Sequence, residues 1–232
     1  MIQYGHNQKK KKDKGRFSMQ KMELKLNGKV VFIDFETTGL DPVENQLIEY
    51  AVIVYENGKE TLRESQCVKL ERGQRLSEFI EKLTGYDEDY LNAHGITLRE
   101  AYERLKEIIG FDGTDGKTVI VAHNCQFDAS FLDAMSVKFD GKRLKADFFD
   151  TLTVCRTQQE YGNRLAECCE RYGIVIPRTH EAMNDTEGLA KLTKALLNER
   201  IDYYSEFLNR FGYSERYGKP KYLLVGIEYF PQ

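Results

Sequence analysis

The sequence predicts an α/β chain, one mixed β-sheet with helices on its faces. Two observations carry this. Three apolar strand patterns follow one another early in the chain, and from residue 118 strands and helices alternate. Taken in order, residues 30–36 (VVFIDFE) form the first strand, 46–56 the second and 61–70 the third. Asn57-Gly58 between the last two is a turn of the kind that joins antiparallel strands. Apolar residues at helical spacing cover 77–83, 87–92 and 97–109. A short apolar strand at 118–122 leads into a helix at 124–137, and 147–150 reads as the last strand of the sheet. Helices are expected near 151–159, 163–172 and 182–199.

With 232 residues, 41% hydrophobic and 31% charged, the chain has the size and composition of one globular domain with modest appendages at 1–25 and 201–232 around a body at 26–200. No run of 18 or more apolar residues is present and the basic start is not followed by a secretory apolar stretch, so a cytoplasmic protein with no membrane partner is expected. Five cysteines without C-x-x-C spacing give neither a disulfide framework nor a zinc site, and are expected as reduced core thiols.

The net charge of -3 is unevenly distributed: residues 1–25 carry eight Lys/Arg against two acids, which leaves -9 on the rest. The arm lacks packing residues and is expected to be disordered, with an electrostatic tether to nucleic acid as the alternative. The acidic body argues against a broad basic nucleic-acid surface, so a protein of this charge that handles nucleic acid needs metal ions at the contact. Residues 201–232 hold nine of the 27 Tyr and Phe residues. A C-terminal helix and a strand at 222–227 packed on the domain are expected, with base stacking or partner docking as the alternative.

Acids stand where core residues belong. In the first strand Asp34 and Glu36 share one face, about 6 to 7 Å apart along the strand. Buried like charges need something positive between them, although Asp-x-Glu taken alone is a common tripeptide whose ordinary explanation is a solvated strand end. Asp128 leads an apolar stripe with Phe131, Leu132 and Met135, and Asp185 leads another with Leu189, Leu192 and Leu196. A first-turn Asp is also an ordinary partner of the helix dipole. His180, five residues before Asp185, sits in a loop where a lone histidine is most often a surface residue. Together, four inward carboxylates carry -4, which two divalent cations balance; an oxygen-only set suits Mg²⁺ or Mn²⁺ rather than zinc. Two such ions can clamp the attacking and leaving oxygens of a phosphodiester.

The segments VFIDFETTGL (31–40), VAHNCQFDASFL (121–132) and HEAMND (180–185) resemble, in order and internal spacing, the three exonuclease motifs of the DnaQ-like DEDDh family. Weaker echoes stand at 83–86, 150–152 and 165–173, and the likeness covers about residues 29–197. The resemblance implies a ribonuclease H-like fold and a two-metal 3′-to-5′ exonuclease that releases nucleoside 5′-monophosphates from DNA 3′ ends, single-stranded ones preferred, as in proofreading or repair. By position Asp34, Glu36, Asp128 and Asp185 would hold Mg²⁺ or Mn²⁺, with Asp34 bridging the two ions, and His180 would be the general base. Thr37, Thr38, Gly39 and Leu40 would approach the terminal nucleotide, and His123 and Asn124 would line the site. The nearest likeness is to the DNA polymerase III epsilon subunit, which brings a replicative polymerase into view as a partner. An exoribonuclease trimming RNA ends is the same-class alternative. A non-catalytic module that binds nucleic acid or a polymerase is the alternative from another class.

Overall fold

β1 (Lys29–Thr37) is the axis of the molecule, because its alternating residues are buried on both faces. The computed structural model describes residues 26, 28–110, 118–179 and 181–232; the basic arm at 1–25 and His180 lie outside the described residues. On one side of β1 runs β2 (Leu47–Glu56), antiparallel, and beyond it β3 (Lys59–Cys67), also antiparallel. Asn57 and Gly58 join these two with φ of 50° and 80°, the left-handed pair a tight hairpin needs. On the other side β4 (Thr118–Ala122) and β5 (Asp147–Asp150) run parallel, which gives the order β3-β2-β1-β4-β5. The mixed sheet flanked by helices is the architecture expected from the pattern of elements.

Three helices, α1 (Glu78–Thr84), α2 (Glu88–His94) and α3 (Leu98–Ile109), follow the meander. α3 starts at a reciprocal Thr97–Glu100 capping box and stops at Gly110, whose φ of 77° suits glycine. α4 (Cys125–Asp140) follows β4 and packs with α3 against Val31, Ile33 and Phe35. α5 (Thr151–Gln158), α6 (Leu165–Arg171) and α7 (Ala182–Glu199) cover the opposite face, where Val30 and Phe32 meet Val154, Cys168, Leu189 and Leu192. All five cysteines are free thiols and four are buried. Among the described residues no helix is long and apolar enough to cross a membrane.

Two strand expectations need correction. The third strand ends at Cys67 rather than residue 70, because the chain then turns to Ile96, whose carbonyl accepts from the Lys69 N–H at 2.7 Å. Residues 222–227 are not a strand. Their backbone groups bond to side chains instead: Gln126 Nε2 donates to the Tyr222 carbonyl at 2.7 Å, Arg143 donates to the Leu223 carbonyl, and the Leu224 N–H donates to the Tyr229 hydroxyl at 3.0 Å. The strand lies just beyond, at 228–231. The C-terminal stretch comprises α8 (Asp202–Phe207), β6 (Arg210–Tyr213) and β7 (Glu228–Pro231), the last two forming a parallel pair. It buries Tyr203, Phe207, Phe211 and Leu224 in the cores on the two faces of the sheet.

Candidate active site

The site begins at the carboxyl end of β1, where β4 has already ended and β2 continues alone beside it. Asp34 and Glu36 share the face of Phe32 and so leave the strand on the α7 side, which is where Asp185 stands in the first turn of that helix. α4 belongs to the other face. Asp128 reaches the same place because α4 starts at the exposed end of β4, and its Oδ1 accepts from the Phe35 N–H at 2.9 Å. The crevice at the strand ends, with helices leaving to opposite faces, is the usual location of a site in an open α/β sheet.

Asp150 sets where α4 begins. This buried carboxylate accepts from the N–H groups of Asn124, Cys125, Leu152 and Thr153 and from the Thr153 hydroxyl, so it satisfies the first amides of both α4 and α5. Asn124 takes a left-handed φ of 69° at the turn.

Asp34, Glu36, Asp128 and Asp185 line one cavity of about 520 Å³, with Thr37, Thr38, Gly39, Leu40 and His123. Asn124, expected among them, is not part of the lining; its role is the turn into α4. His123 is at the wall with both ring nitrogens engaged, Nδ1 at 2.9 Å from Thr151 Oγ1 and Nε2 at 2.7 Å from the Asn163 carbonyl. The turn after β1 is tied down by Thr38, whose N–H donates to the Gln46 carbonyl at 2.9 Å and whose hydroxyl donates to Gln74 Oε1 at 2.9 Å. A Cβ at Gly39 would lie 2.6 Å from Asn45 Oδ1, so a larger residue there has to displace the Asn45 side chain. Leu40 is left 84% exposed at the rim.

The electrostatics are those of crowded acids. Burial, then the charges of Asp128, Glu36 and Asp185, push the Asp34 carboxyl well above the usual range. Glu36 is pushed up to about 8 by burial, with Glu49 and Asp185 adding to it. Asp128 is raised mainly by burial, against the opposing pull of its backbone hydrogen bonds. Among the described residues no three His, Cys, Asp or Glu side chains are already drawn together as a metal cage. The donor chemistry nonetheless fits hard divalent cations, because oxygen ligands of one sign gather here and gain from a positive charge.

Of the residues at the site that escaped the sequence analysis, two bear on its chemistry. Glu49 on β2 stands opposite Glu36 in the register, is buried, and accepts from the Ser65 hydroxyl at 2.7 Å. It adds a fifth acid, hidden in the sequence because β2 is otherwise a plain apolar run. Phe79 lines the same cavity from α1 and is 70% exposed. The signal available for it was a large aromatic on a helix that buries none of its residues.

The exonuclease family model RNase_T matches residues 31–193. Among curated proteins the chain is 30% identical over 198 residues to DNA polymerase III PolC-type of Bacillus subtilis (strain 168), covering 82% of this chain and 13% of the polymerase. It is 33% identical over 180 residues to the PolC-type polymerase of Staphylococcus aureus (strain bovine RF122 / ET3-1), covering 75% of this chain and 12% of that protein. It therefore spans about an eighth of the length of these relatives. Among solved structures, E. coli Exonuclease I in complex with a dT13 oligonucleotide superposes with a TM-score of 0.64 at 19% identity, over 77% of this chain and 44% of that one. A full-length 3′-exonuclease gives 0.60 at 19% identity, over 75% and 62%. These neighbours share the ribonuclease H-like fold, and the exonuclease model's match over residues 31–193, with the identity to the PolC-type polymerases, makes this chain a member of the DnaQ-like exonuclease family.

Proposed function

We propose that the chain is a 3′-to-5′ exonuclease of the DEDDh type, hydrolysing phosphodiesters from the 3′ end of single-stranded or frayed DNA and releasing nucleoside 5′-monophosphates. One observation carries it: Asp34, Glu36, Asp128 and Asp185, from a strand and two helices on opposite faces of the sheet, line one cavity, where burial and neighbouring acids raise the proton affinity of Asp34, Glu36 and Asp128. Such acids burden a fold unless cations offset them. Two Mg²⁺ or Mn²⁺ ions held by these four residues would supply activated water and stabilise the leaving oxygen. His180 is assigned the proton from the attacking water, a task that needs a group titrating near neutral pH. The tied turn at Thr37, Thr38, Gly39 and Leu40 meets the terminal nucleotide, its apolar rim against the base.

DNA is favoured over RNA because the PolC-type relatives are named as DNA polymerases and one structural neighbour holds a dT13 strand. By the same relatives a replicative polymerase is the expected partner. An unpaired end fits the site better than a duplex, since the end must enter a cavity of about 520 Å³ on a body whose net charge is -9.

The test uses 5′-labelled oligomers, DNA and RNA, each single-stranded, paired, or paired with a 3′ mismatch, incubated with Mg²⁺ or Mn²⁺. A ladder shortening from the 3′ end, fastest on unpaired DNA, is expected. Faster cleavage of RNA would move the assignment to an exoribonuclease, and no shortening of any substrate would leave a binding module.

A further inference from the structure

The C-terminal stretch lies beyond residues 31–193, which match the exonuclease family, so nothing so far gives it a role. Its loop between β6 and β7 is basic on an acidic body. Arg216, Lys219 and Lys221 are exposed against the single acid Glu215, and among the described residues none of the three cations is in an ion pair. Tyr217 beside them is 80% exposed, with the Arg216 guanidinium 5.5 Å from its ring centre.

This loop is fastened to the first turn of α4, which also carries the cavity residues Phe127 and Asp128. Gln126, the neighbour of the cavity residue Phe127, donates to the Tyr222 carbonyl at 2.7 Å and accepts from the Tyr229 hydroxyl at 2.5 Å. The Lys219 ammonium lies 5.1 Å from the centre of the same Tyr229 ring. Further along α4, the Tyr222 hydroxyl donates to the buried Asp133 at 2.7 Å, and Arg143 both pairs with Asp133 at 2.6 Å and lies 5.1 Å over the Tyr222 ring. Lys142 and Lys145 are exposed on either side of Arg143.

We infer that the 214–224 segment, with the loop around Arg143, is a track for the phosphodiester backbone of the single strand whose 3′ end occupies the active site. The inference rests on the nuclease function proposed above and adds the path of the upstream nucleotides. A strand drawn toward a cluster of acids needs cations outside it, and unpaired lysines and arginines next to an exposed aromatic ring are what a single strand binds without regard to sequence. DNA and RNA share the chemistry recognised here.

The experiment uses the full chain and the triple variant Arg216→Ala/Lys219→Ala/Lys221→Ala. Binding of a labelled single-stranded dodecamer is followed by anisotropy in EDTA across a salt series. Turnover is followed with that oligomer and with the p-nitrophenyl ester of thymidine 5′-monophosphate, which has no upstream nucleotides. The variant is expected to lower the slope of log K against log salt by about 2, since each phosphate contact on a single strand contributes about 0.7. KM for the dodecamer rises about tenfold or more, while turnover of the small ester and the melting temperature stay as in the wild type. An unchanged slope and KM in a variant that melts normally overturns the track and gives the loop to another partner, such as a protein. Failure of the nuclease function itself has a different signature: the wild type then turns over neither substrate, and the salt slope still decides the track.

Discussion

The Asp128 carboxylate accepts a 2.9 Å hydrogen bond from the N–H of Phe35, the residue that separates Asp34 from Glu36. One buried acid thus completes the strand edge that β4 leaves open and adds its charge to the two acids on that strand. Its two duties can be separated. Asp128→Asn keeps an acceptor for the Phe35 N–H and removes the charge, so turnover is lost while melting in EDTA is unchanged or higher. Asp128→Ala loses turnover as well and leaves a buried N–H unpaired, at a cost of about 1–3 kcal/mol. Asp34→Ala, Glu36→Ala and Asp185→Ala are expected to abolish turnover without lowering the melting temperature in EDTA. Calorimetry in EDTA beside cleavage in Mg²⁺ checks the whole set, and near-native activity in any variant removes that residue from the site.

Stability without metal should fall as pH rises. Glu36 holds its proton to about pH 8 in the folded chain, against an ordinary 4.5. Between these values the unfolded chain releases the proton and the folded one retains it, so each step up in pH favours unfolding. The loss therefore begins near pH 4.5 and levels off above pH 8, with Asp34 and Asp128 shifted in the same direction. Divalent-ion affinity runs the opposite way across this window, since ligands must be deprotonated. Melting curves in EDTA from pH 5 to 8.5, with Glu36→Gln as the flattened control, measure this.

His180→Ala should slow cleavage by about 10² to 10⁴, the usual contribution of a positioned general base, and leave Mn²⁺ binding nearly unchanged. The wild-type rate climbs through the histidine range and the variant's does not. Identical pH–rate profiles would send the proton elsewhere.

Phe79 is a 70% exposed ring on the cavity wall, where Leu40 is also exposed. Phe79→Ala should raise KM by about tenfold or more, in line with roughly 1–3 kcal/mol for stacking one base on an aromatic side chain, with kcat little changed. Steady-state kinetics on an oligothymidylate decides it. An unaltered KM would leave the ring as a surface residue.

Phe211 is 2% exposed and packs edge-on against Phe148, with ring centres 6.2 Å apart. Phe211→Ala should cost about 3–5 kcal/mol, and cutting the chain after Arg200 should cost more, because Tyr203, Phe207 and Leu224 leave the core with it. Urea unfolding measures both. A truncated chain of native stability would show that the catalytic body does not need the aromatic stretch.

The alternation of Asp34 and Glu36 with Val31, Ile33 and Phe35, and the stripes led by Asp128 and Asp185, were legible in the sequence. A strand repeats every two residues and a helix every 3.6, so each element declares which of its own side chains points inward. The mixed sheet followed from the same periodicities and from Asn57-Gly58. What lies across from an inward side chain is not a property of its own element. Only the packing of the sheet placed Glu49 opposite Glu36, brought Phe79 to the cavity, and let α4 and α7, on opposite faces, present their leading acids at the one strand end they share. It also turned Asn124 from a lining residue into the bend before α4, and residues 222–227 from a strand into a segment bonded to Gln126 and Arg143. Backbone groups take whichever donors and acceptors the fold brings near, and that neighbourhood exists only once distant elements have docked.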